Sequence, residues 1–205
     1  MSQAINISMS RLGDVARFIR GVAFKPSDQL PDMAPNAVAC MTTKNVQETL
    51  DLSTVTFIPN DKVPRDEQML MSGDIIVSSA NSWNLVGKCC WVDSLPYPAT
   101  AGAFVSILRA DRGLIHPRFL YYWCSAPATQ HLLRYCGRKT TNISNLEFAR
   151  AEDLEIPCPS LDEQEAILAQ LQRIDDLRER HLQAAEYAGD LKERRVAEVM
   201  RLPVS

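Results

Sequence analysis

The chain is organised around the stretch Pro157-Cys158-Pro159-Ser160-Leu161-Asp162-Glu163-Gln164-Glu165, which opens its C-terminal segment. Two prolines disfavour a helix up to Pro159, because proline lacks a backbone N–H and clashes with the preceding turn of a helix. Ser160 can then cap a new helix, and Glu163, three residues later, can reach back to it in a capping box. The stretch therefore predicts the start of a helix.

Apolar residues continue this helix at intervals of three or four positions from Ile167 to Val199, with no proline before Pro203. A helix from Asp162 to Met200 would be roughly 58 Å long at about 1.5 Å per residue. It is too long and too polar on its other faces to be buried in one small domain, so we expect a partner helix. The residues predicted to contact this partner are Ile167, Leu171, Ile174, Leu177, Ala184, Ala188 and Leu191.

Two interpretations of this helix remain open. It can be a coiled-coil spacer that holds a recognition module at a fixed distance from a second module, or a polar helix packed along its own domain. His181 and Arg195 interrupt the apolar seam, and Gly189 should cost about 1 kcal/mol relative to alanine. The seam is therefore weak, and a coiled coil would need extra contacts from a partner or from its own domain.

Length and composition predict one domain plus one protruding element, with the domain at 1–159 and the helix at 160–205. A chain of 205 residues can bury about 70% of its unfolded surface. It contains no run of eighteen apolar residues and no basic N-terminal region followed by an apolar stretch. We expect a soluble, cytoplasmic protein that is not exported.

The cysteines predict neither a disulfide framework nor a metal site. There are six, none in a C-x-x-C pair: Cys40, Cys89, Cys90, Cys124, Cys136 and Cys158. We interpret them as reduced, mostly buried thiols.

The net charge of −3 argues against indiscriminate nucleic-acid binding, but the charge is unevenly distributed. Residues 1–160 hold 15 Lys/Arg and 15 Asp/Glu, whereas residues 161–205 hold 7 and 10. The acidic excess thus lies in the helix. The segment from Arg109 to Lys139 contains six cationic residues and one acidic residue, Asp111. This composition indicates either a local basic surface or an ordinary solvent-exposed surface.

Alternating patterns and turn residues predict a β-rich region before the long helix. The predicted strands are Ala37–Met41, Thr54–Ile58, Ile75–Ser78, Leu85–Val92, Ala103–Arg109 and Leu154–Ile156, with Leu12–Gly21 as a short strand or extended segment. The predicted short helices are Pro117–Cys124 and Ala128–Cys136, the latter with Leu132 and Leu133 inward. The predicted loops and turns are Ser79–Asn84, Arg138–Asn142 and Ile143–Leu146. The fold class is α+β, with the long coiled-coil-type helix at the C-terminus.

Several motifs in this order resemble the specificity subunit of type I restriction-modification systems. They are Gly73-Asp74-Ile75-Ile76-Val77, Val86-Gly87-Lys88, Phe119-Leu120-Tyr121-Tyr122, Asn142-Ile143-Ser144, and the stretch from Ile156 to Gln164 followed by Ile167. The resemblance covers nearly the whole chain, from Leu12-Gly13-Asp14 to the long helix. Its most specific part is Glu163-Gln164, just after the prolines.

The resemblance implies a target-recognition domain and a spacer helix that docks a DNA methyltransferase subunit and, through it, a restriction subunit. The chain itself would be non-catalytic and would carry no cofactor, with S-adenosylmethionine bound by the partner methyltransferase. The family typically has two recognition domains and two spacer helices in one chain, whereas one of each is present here. A homodimer that reads a palindromic split site, a pairing with a second half-subunit, and a fragment all remain open.

Reading base edges requires a few Arg, Lys, Asn, Gln, Ser or Thr side chains on a rigid scaffold, plus phosphate contacts. The first predicted contact set combines two cations with three hydrogen-bonding side chains: Arg138, Lys139, Thr140, Thr141 and Asn142. The second set consists of Ser79, Asn81, Trp83, Asn84 and Lys88, because asparagine can bond adenine with two hydrogen bonds and an aromatic ring can wedge or stack. Lys25 and Lys44 are candidate phosphate contacts. The alternatives are an ordinary exposed loop for the first set and a core position for Trp83.

A catalytic role finds little support in the sequence. There is no G-x-G-x-x-G, P-loop, H-E-x-x-H or Asn/Asp-Pro-Pro-Tyr/Phe motif, so we expect the reaction to reside in partner subunits. Two other classes remain as alternatives. One is a coiled-coil adaptor that binds proteins and not DNA, and the other is a small enzyme with Trp83 and Tyr121-Tyr122 lining a pocket.

Overall fold

A computed structural model describes residues 7–31, 34–139 and 143–200. Strands and short helices fill the chain up to residue 157, and one long helix follows. The strands are β1 Met9–Arg11, β2 Ala16–Arg20, β3 Ala37–Met41, β4 Thr56–Pro59, β5 Ile75–Ser78, β6 Ala80–Asn81, β7 Cys89–Trp91, β8 Ala99–Ala101, β9 Val105–Ala110, β10 Gly137–Lys139, β11 Ser144–Leu146 and β12 Glu155–Pro157. The α-helices are α1 Leu12–Val15, α2 Pro117–Ser125, α3 Pro127–Tyr135, α4 Phe148–Glu152 and α5 Leu161–Met200. The predicted α+β class, with a long C-terminal helix, is confirmed.

The central sheet is antiparallel, in the order β2-β9-β5-β7. Strand β5 has apolar side chains on both faces, because each face of the sheet is covered by a hydrophobic core. Ile75 and Val77 join one core, which includes residues of α2 and α3, while Ile76 joins a second core with residues of β3 and β8. Strand β5 therefore lies between two cores.

Two of the three further sheets lie outside the predicted contact segments. The order β4-β3-β8 places β3 in the middle, and all five residues of β3 are buried. The other sheet pairs β1 with β12 in antiparallel register, Met9 opposite Pro157. This pairing ties the chain just ahead of the long helix to the N-terminal segment.

A buried ion pair holds the turn before β5. The Asp74 carboxylate accepts hydrogen bonds from Nε and Nη2 of Arg109, both at 2.7 Å, and from the Met71 N–H at 2.8 Å. Arg109 donates in addition to the carbonyl oxygens of Glu67 and Met69. The ion pair and these hydrogen bonds give the Gly73-Asp74 motif a structural role, since they tie this turn to β9.

Helix α5 starts at the capping box that the sequence predicts. Both the hydroxyl and the N–H of Ser160 donate to Oε2 of Glu163, at 2.7 and 2.9 Å, and the Glu163 N–H donates to the Ser160 hydroxyl at 3.4 Å. These bonds, the hydroxyl's first, lower the pKa of the Glu163 carboxyl because they stabilise its charged form. The helix then runs for 40 residues.

The chain divides into two compact units, residues 1–164 and 165–205. The first turn of α5 belongs to the first unit, where Gln164 is fully buried. In the second unit, the predicted seam residues Ile174, Leu177 and Leu191 are 60%, 54% and 56% exposed. Their contact with a partner helix stays a prediction. Within the described residues, no helix is both long enough and apolar enough to cross a membrane.

Several local predictions are wrong. The predicted strand Leu85–Val92 begins only at Cys89, because the chain turns through Gly87 at φ +82°. The segment Leu12–Gly21 opens with the short helix α1 before β2. Of the two leucines of α3, Leu133 points inward as predicted, whereas Leu132 is 46% exposed.

The predicted burial of the cysteines is confirmed. All six thiols are free, five are buried, and Cys158 is half-buried. Burial raises the pKa of the Cys40 and Cys90 thiols to about 12, because a thiolate is unstable away from water.

Candidate nucleic-acid interface

A small sheet joins the two predicted contact sets. Its order is β10-β11-β6, with β11 antiparallel to both neighbours. Arg138 of the first set lies opposite Asn145, which in turn lies opposite Ala80 in the second segment. Parts of two segments predicted as loops, and part of one predicted as a turn, thus form short strands of one sheet. Thr140, Thr141 and Asn142 lie outside the described residues.

The two faces of this sheet differ. Arg138 and Asn145 are both exposed, and directly opposed residues share one face, with Cβ atoms roughly 5 Å apart. Lys139 and Asn81 lie opposite Ser144, which is buried. The exposed face therefore carries one guanidinium and one amide side by side.

Helix α3 positions the turn that follows β6. Gly87 lies so close to this helix that a Cβ there would stand 2.8 Å from Cβ of Leu133. The Gln130 amide donates to the carbonyl oxygens of Gly87, at 3.1 Å, and Cys124, at 2.7 Å. The turn is thus fixed by packing and hydrogen bonds, and a side chain at position 87 would push it away.

Trp83 is half-buried at the edge of this surface. Its ring packs edge-on against Tyr135, with centroids 5.7 Å apart, and Tyr135 packs edge-on against His131 at 4.7 Å. Trp83 is neither a core anchor nor an isolated wedge. Tyr135 and His131 were not among the predicted contacts, although their spacing of four residues on α3 puts them on one helix face.

Ser79 and Asn81 support the sheet. The Ser79 side chain is buried, and its hydroxyl accepts from the Ser106 hydroxyl at 3.0 Å. The predicted contact of Ser79 with DNA therefore conflicts with its position, because its hydroxyl faces the interior. The Asn81 amide is occupied on both sides, donating to Ser78 at 3.0 Å and accepting from the Ser82 N–H at 2.8 Å. Asn84 is exposed and remains a candidate contact.

Gln47 links the Lys88 side chain to the backbone of Lys44. The Lys88 ammonium donates to Oε1 of Gln47 at 2.7 Å, and Nε2 of Gln47 donates to the Lys44 carbonyl oxygen at 2.8 Å. Lys25 lies directly before a separate 3-10 turn, Pro26–Asp28, and its N–H donates to the Asp28 carboxylate. The two candidate phosphate contacts, Lys25 and Lys44, thus lie on different segments, and Lys88 of the second contact set is linked to the segment of Lys44.

These side chains can donate hydrogen bonds to base edges and neutralise phosphates. Within the described residues, no group of His, Cys, Asp or Glu is arranged to hold a metal ion. The chemistry available at this surface is recognition by hydrogen bonds, charge and aromatic contact.

A family model described as the type I restriction modification DNA specificity domain matches residues 5–187. The chain belongs to this family. The description of the family names specificity for DNA and no reaction.

Curated relatives agree with this assignment. The StySPI specificity subunit of Salmonella potsdam is 26% identical over 158 residues, which cover 77% of this chain and 34% of that protein. The EcoKI specificity subunit of Escherichia coli (strain K12) is 25% identical over 158 residues, with 77% and 33% covered. The chain therefore spans about a third of the length of these relatives.

Solved structures show the same fold. The HsdS subunit from Thermoanaerobacter tengcongensis matches with a TM-score of 0.62 at 18% identity, over 86% of this chain and 39% of that chain. A chain from a study of complex assembly and conformational transition of the type I R-M system matches with a TM-score of 0.68 at 17% identity, over 97% and 45%. The specificity domain thus retains its fold at low sequence identity.

Proposed function

We propose that this specificity domain recognises a DNA sequence on behalf of a type I restriction-modification complex. It directs a partner adenine methyltransferase, and through it a restriction translocase, to a bipartite target. The observation that carries this proposal is the sheet β10-β11-β6, because it joins both predicted contact sets in a domain whose family is defined by DNA specificity.

The chemistry is divided between subunits in this proposal. The recognition surface offers hydrogen-bond donors and cations, which suit base edges and phosphates. Methyl transfer and its S-adenosylmethionine belong to the methyltransferase subunit, and DNA cleavage belongs to the restriction subunit. The neutral charge of residues 1–160 fits this division, because partner subunits can supply much of the electrostatic attraction to DNA.

Helix α5 holds two recognition units apart in this proposal. Its 40 residues span about 60 Å at 1.5 Å per residue. This exceeds the roughly 34–36 Å of one duplex turn, the spacing at which paired recognition units meet successive half-sites. The exposed Ile174, Leu177 and Leu191 are available to pair with the same helix of a second copy.

The same exposed side chains favour a second candidate function. A coiled-coil adaptor would also use α5 to bind proteins, but its first unit would show no preference among DNA sequences. The two candidates therefore differ in one measurable property, the selection of a sequence from a mixed pool.

The test mixes the full chain with its cognate methyltransferase subunit and a randomised duplex pool, and sequences the bound DNA. We expect a bipartite motif to be enriched. Replacing Arg138 and Lys139 by alanine should weaken binding to this motif without lowering the melting temperature, whereas Arg65→Ala, at an exposed cation paired with Glu67, should leave binding unchanged. A complex that forms but enriches no sequence would support the adaptor instead.

A further inference from the structure

The exposed face of the β10-β11 ribbon carries a pair of side chains that suits two neighbouring bases. We propose that Arg138 binds a guanine and Asn145 binds the adenine of the adjacent base pair, both in the major groove. This inference rests on the proposed function, and it assigns a role to Asn145, which the sequence patterns did not single out.

The spacing of the pair fits adjacent base pairs. Arg138 and Asn145 are directly opposite each other across β10 and β11 and are both exposed. Opposed Cβ atoms lie roughly 5 Å apart, and successive bases along a DNA strand are separated by about 3.4 Å. The long side chain of Arg138 can cover this small difference. One pair of opposed residues on the ribbon can therefore contact two neighbouring base pairs.

The ribbon is also accessible. Strand β10 is at the edge of the sheet β10-β11-β6, so no further strand of the described residues covers its outer side. The major groove of B-DNA is about 12 Å wide and admits a two-stranded β-ribbon. The exposed face of β10 and β11 can therefore enter the groove with Arg138 and Asn145 toward the base edges.

The Arg138 guanidinium is uncommitted. In the described residues up to 164, Arg138 has no ion pair, side-chain hydrogen bond or aromatic face as a partner, whereas every other arginine has one. Its fork of N–H donors matches O6 and N7 of guanine, the commonest specific contact in the major groove. An arginine used for packing or stability would have protein partners instead.

The Asn145 amide is also uncommitted among the described residues. Its opposite neighbour in β6 is Ala80, whose methyl group offers no hydrogen bond, and Asn145 has no side-chain hydrogen bond among the described residues. An asparagine amide donates to N7 and accepts from N6 of adenine at once. Asn81, by contrast, has its amide occupied by Ser78 and Ser82.

Lys139 provides a matched control within the same strand. It follows Arg138 but lies opposite Ser144, so its side chain leaves from the other face of the sheet. We expect it to contact phosphate only. Arg138 and Asn145 should then determine base preference, and Lys139 should determine affinity without preference.

The experiment measures base preference at each position of the selected motif, using the full chain with its methyltransferase subunit. The wild-type complex should select a guanine beside an adenine. Arg138→Ala should reduce the preference for guanine roughly 5- to 150-fold and keep the adenine, and Asn145→Ala should do the reverse. Lys139→Ala should weaken binding to all sequences equally. Thermal melting of each variant reports whether the domain remains folded.

Two results separate the possible failures. A wild-type motif whose base preferences are all unchanged by Asn145→Ala would overturn the assignment of Arg138 and Asn145 as a base-contacting pair. The proposed function would still stand. A wild-type complex that selects no motif would overturn both. Guanine with N7 replaced by carbon adds a direct test: it should weaken wild-type binding but cause no further loss in Arg138→Ala.

Discussion

The side chain of Gln164 accepts a hydrogen bond from the backbone N–H of His116, with 2.7 Å between Oε1 and N. Its Nε2 donates to the carbonyl oxygens of Leu114 and Pro159, at 3.2 and 2.8 Å. Because His116 caps α2, Gln164 joins the start of α5 to the start of α2. Glu163 and Gln164 thus have separate roles, since Glu163 closes the cap of its own helix.

Gln164→Leu should destabilise the first unit. Leucine keeps the bulk but removes the Gln164 partners of the His116 N–H and the Pro159 carbonyl oxygen in a partly buried site, which costs about 1–3 kcal/mol. Urea unfolding measures this loss as a lower free energy of unfolding. Gln172→Leu is the control, because Gln172 is exposed and bonds only to Asp176 on its own helix. Equal losses in both variants would contradict the assigned role.

Asp74→Ala should be more damaging than the loss of a surface ion pair. The side chains of Asp74 and Arg109 are only 3% and 12% exposed, so removal of the carboxylate leaves a buried guanidinium without its counter-charge. The expected cost is about 3–5 kcal/mol. Arg65→Ala breaks the exposed pair with Glu67 and should cost less than about 1 kcal/mol. Denaturant midpoints of the two variants make the comparison, and a similar shift in both would count against the buried pair.

The capping box should make stability depend on pH. Since hydrogen bonds from Ser160 lower the pKa of Glu163 in the folded chain, its contribution is present above the ordinary carboxyl pKa. It is lost as the pH falls through the lowered value. Wild type should therefore be more stable than Glu163→Gln at neutral pH, and the difference should vanish in acid. Glu186→Gln, at an exposed mid-helix position, should show no such pH-dependent difference.

The proposed pairing of two α5 helices predicts the mass of the protein in solution. Light scattering should give about twice 22.9 kDa for the chain, or a methyltransferase complex with two copies of it. Leu177→Arg with Leu191→Arg should abolish the pairing, because two charges would enter an apolar seam. Gln172→Arg with Gln183→Arg adds the same charge on another face of the helix and should leave the mass unchanged. A wild-type chain that is monomeric and joins the complex as one copy would refute self-pairing.

Much of the fold was predictable because its causes are local. The capping box at Ser160, the proline at the start of α2 and the apolar run of β5 each express a preference of neighbouring residues. The start of the strand within Leu85–Val92 was not predictable. The chain turns at Gly87, whose positive φ accompanies its close approach to Leu133 in another element. The sequence pattern within the segment contains no information about that contact.

The candidate site was likewise predictable from the sequence only in part. The residue pattern was enough to predict an α+β domain with a capped C-terminal helix, and it identified Arg138, Lys139 and the segment around Asn81 as polar candidates. The pairing of these segments through β11, the inward position of Ser79 and the place of Asn145 beside Arg138 follow from the three-dimensional fold alone. This is because β6, β10 and β11 have two or three residues each. Such strands are too short for a periodic pattern, and they are held by hydrogen bonds to partners distant in the chain.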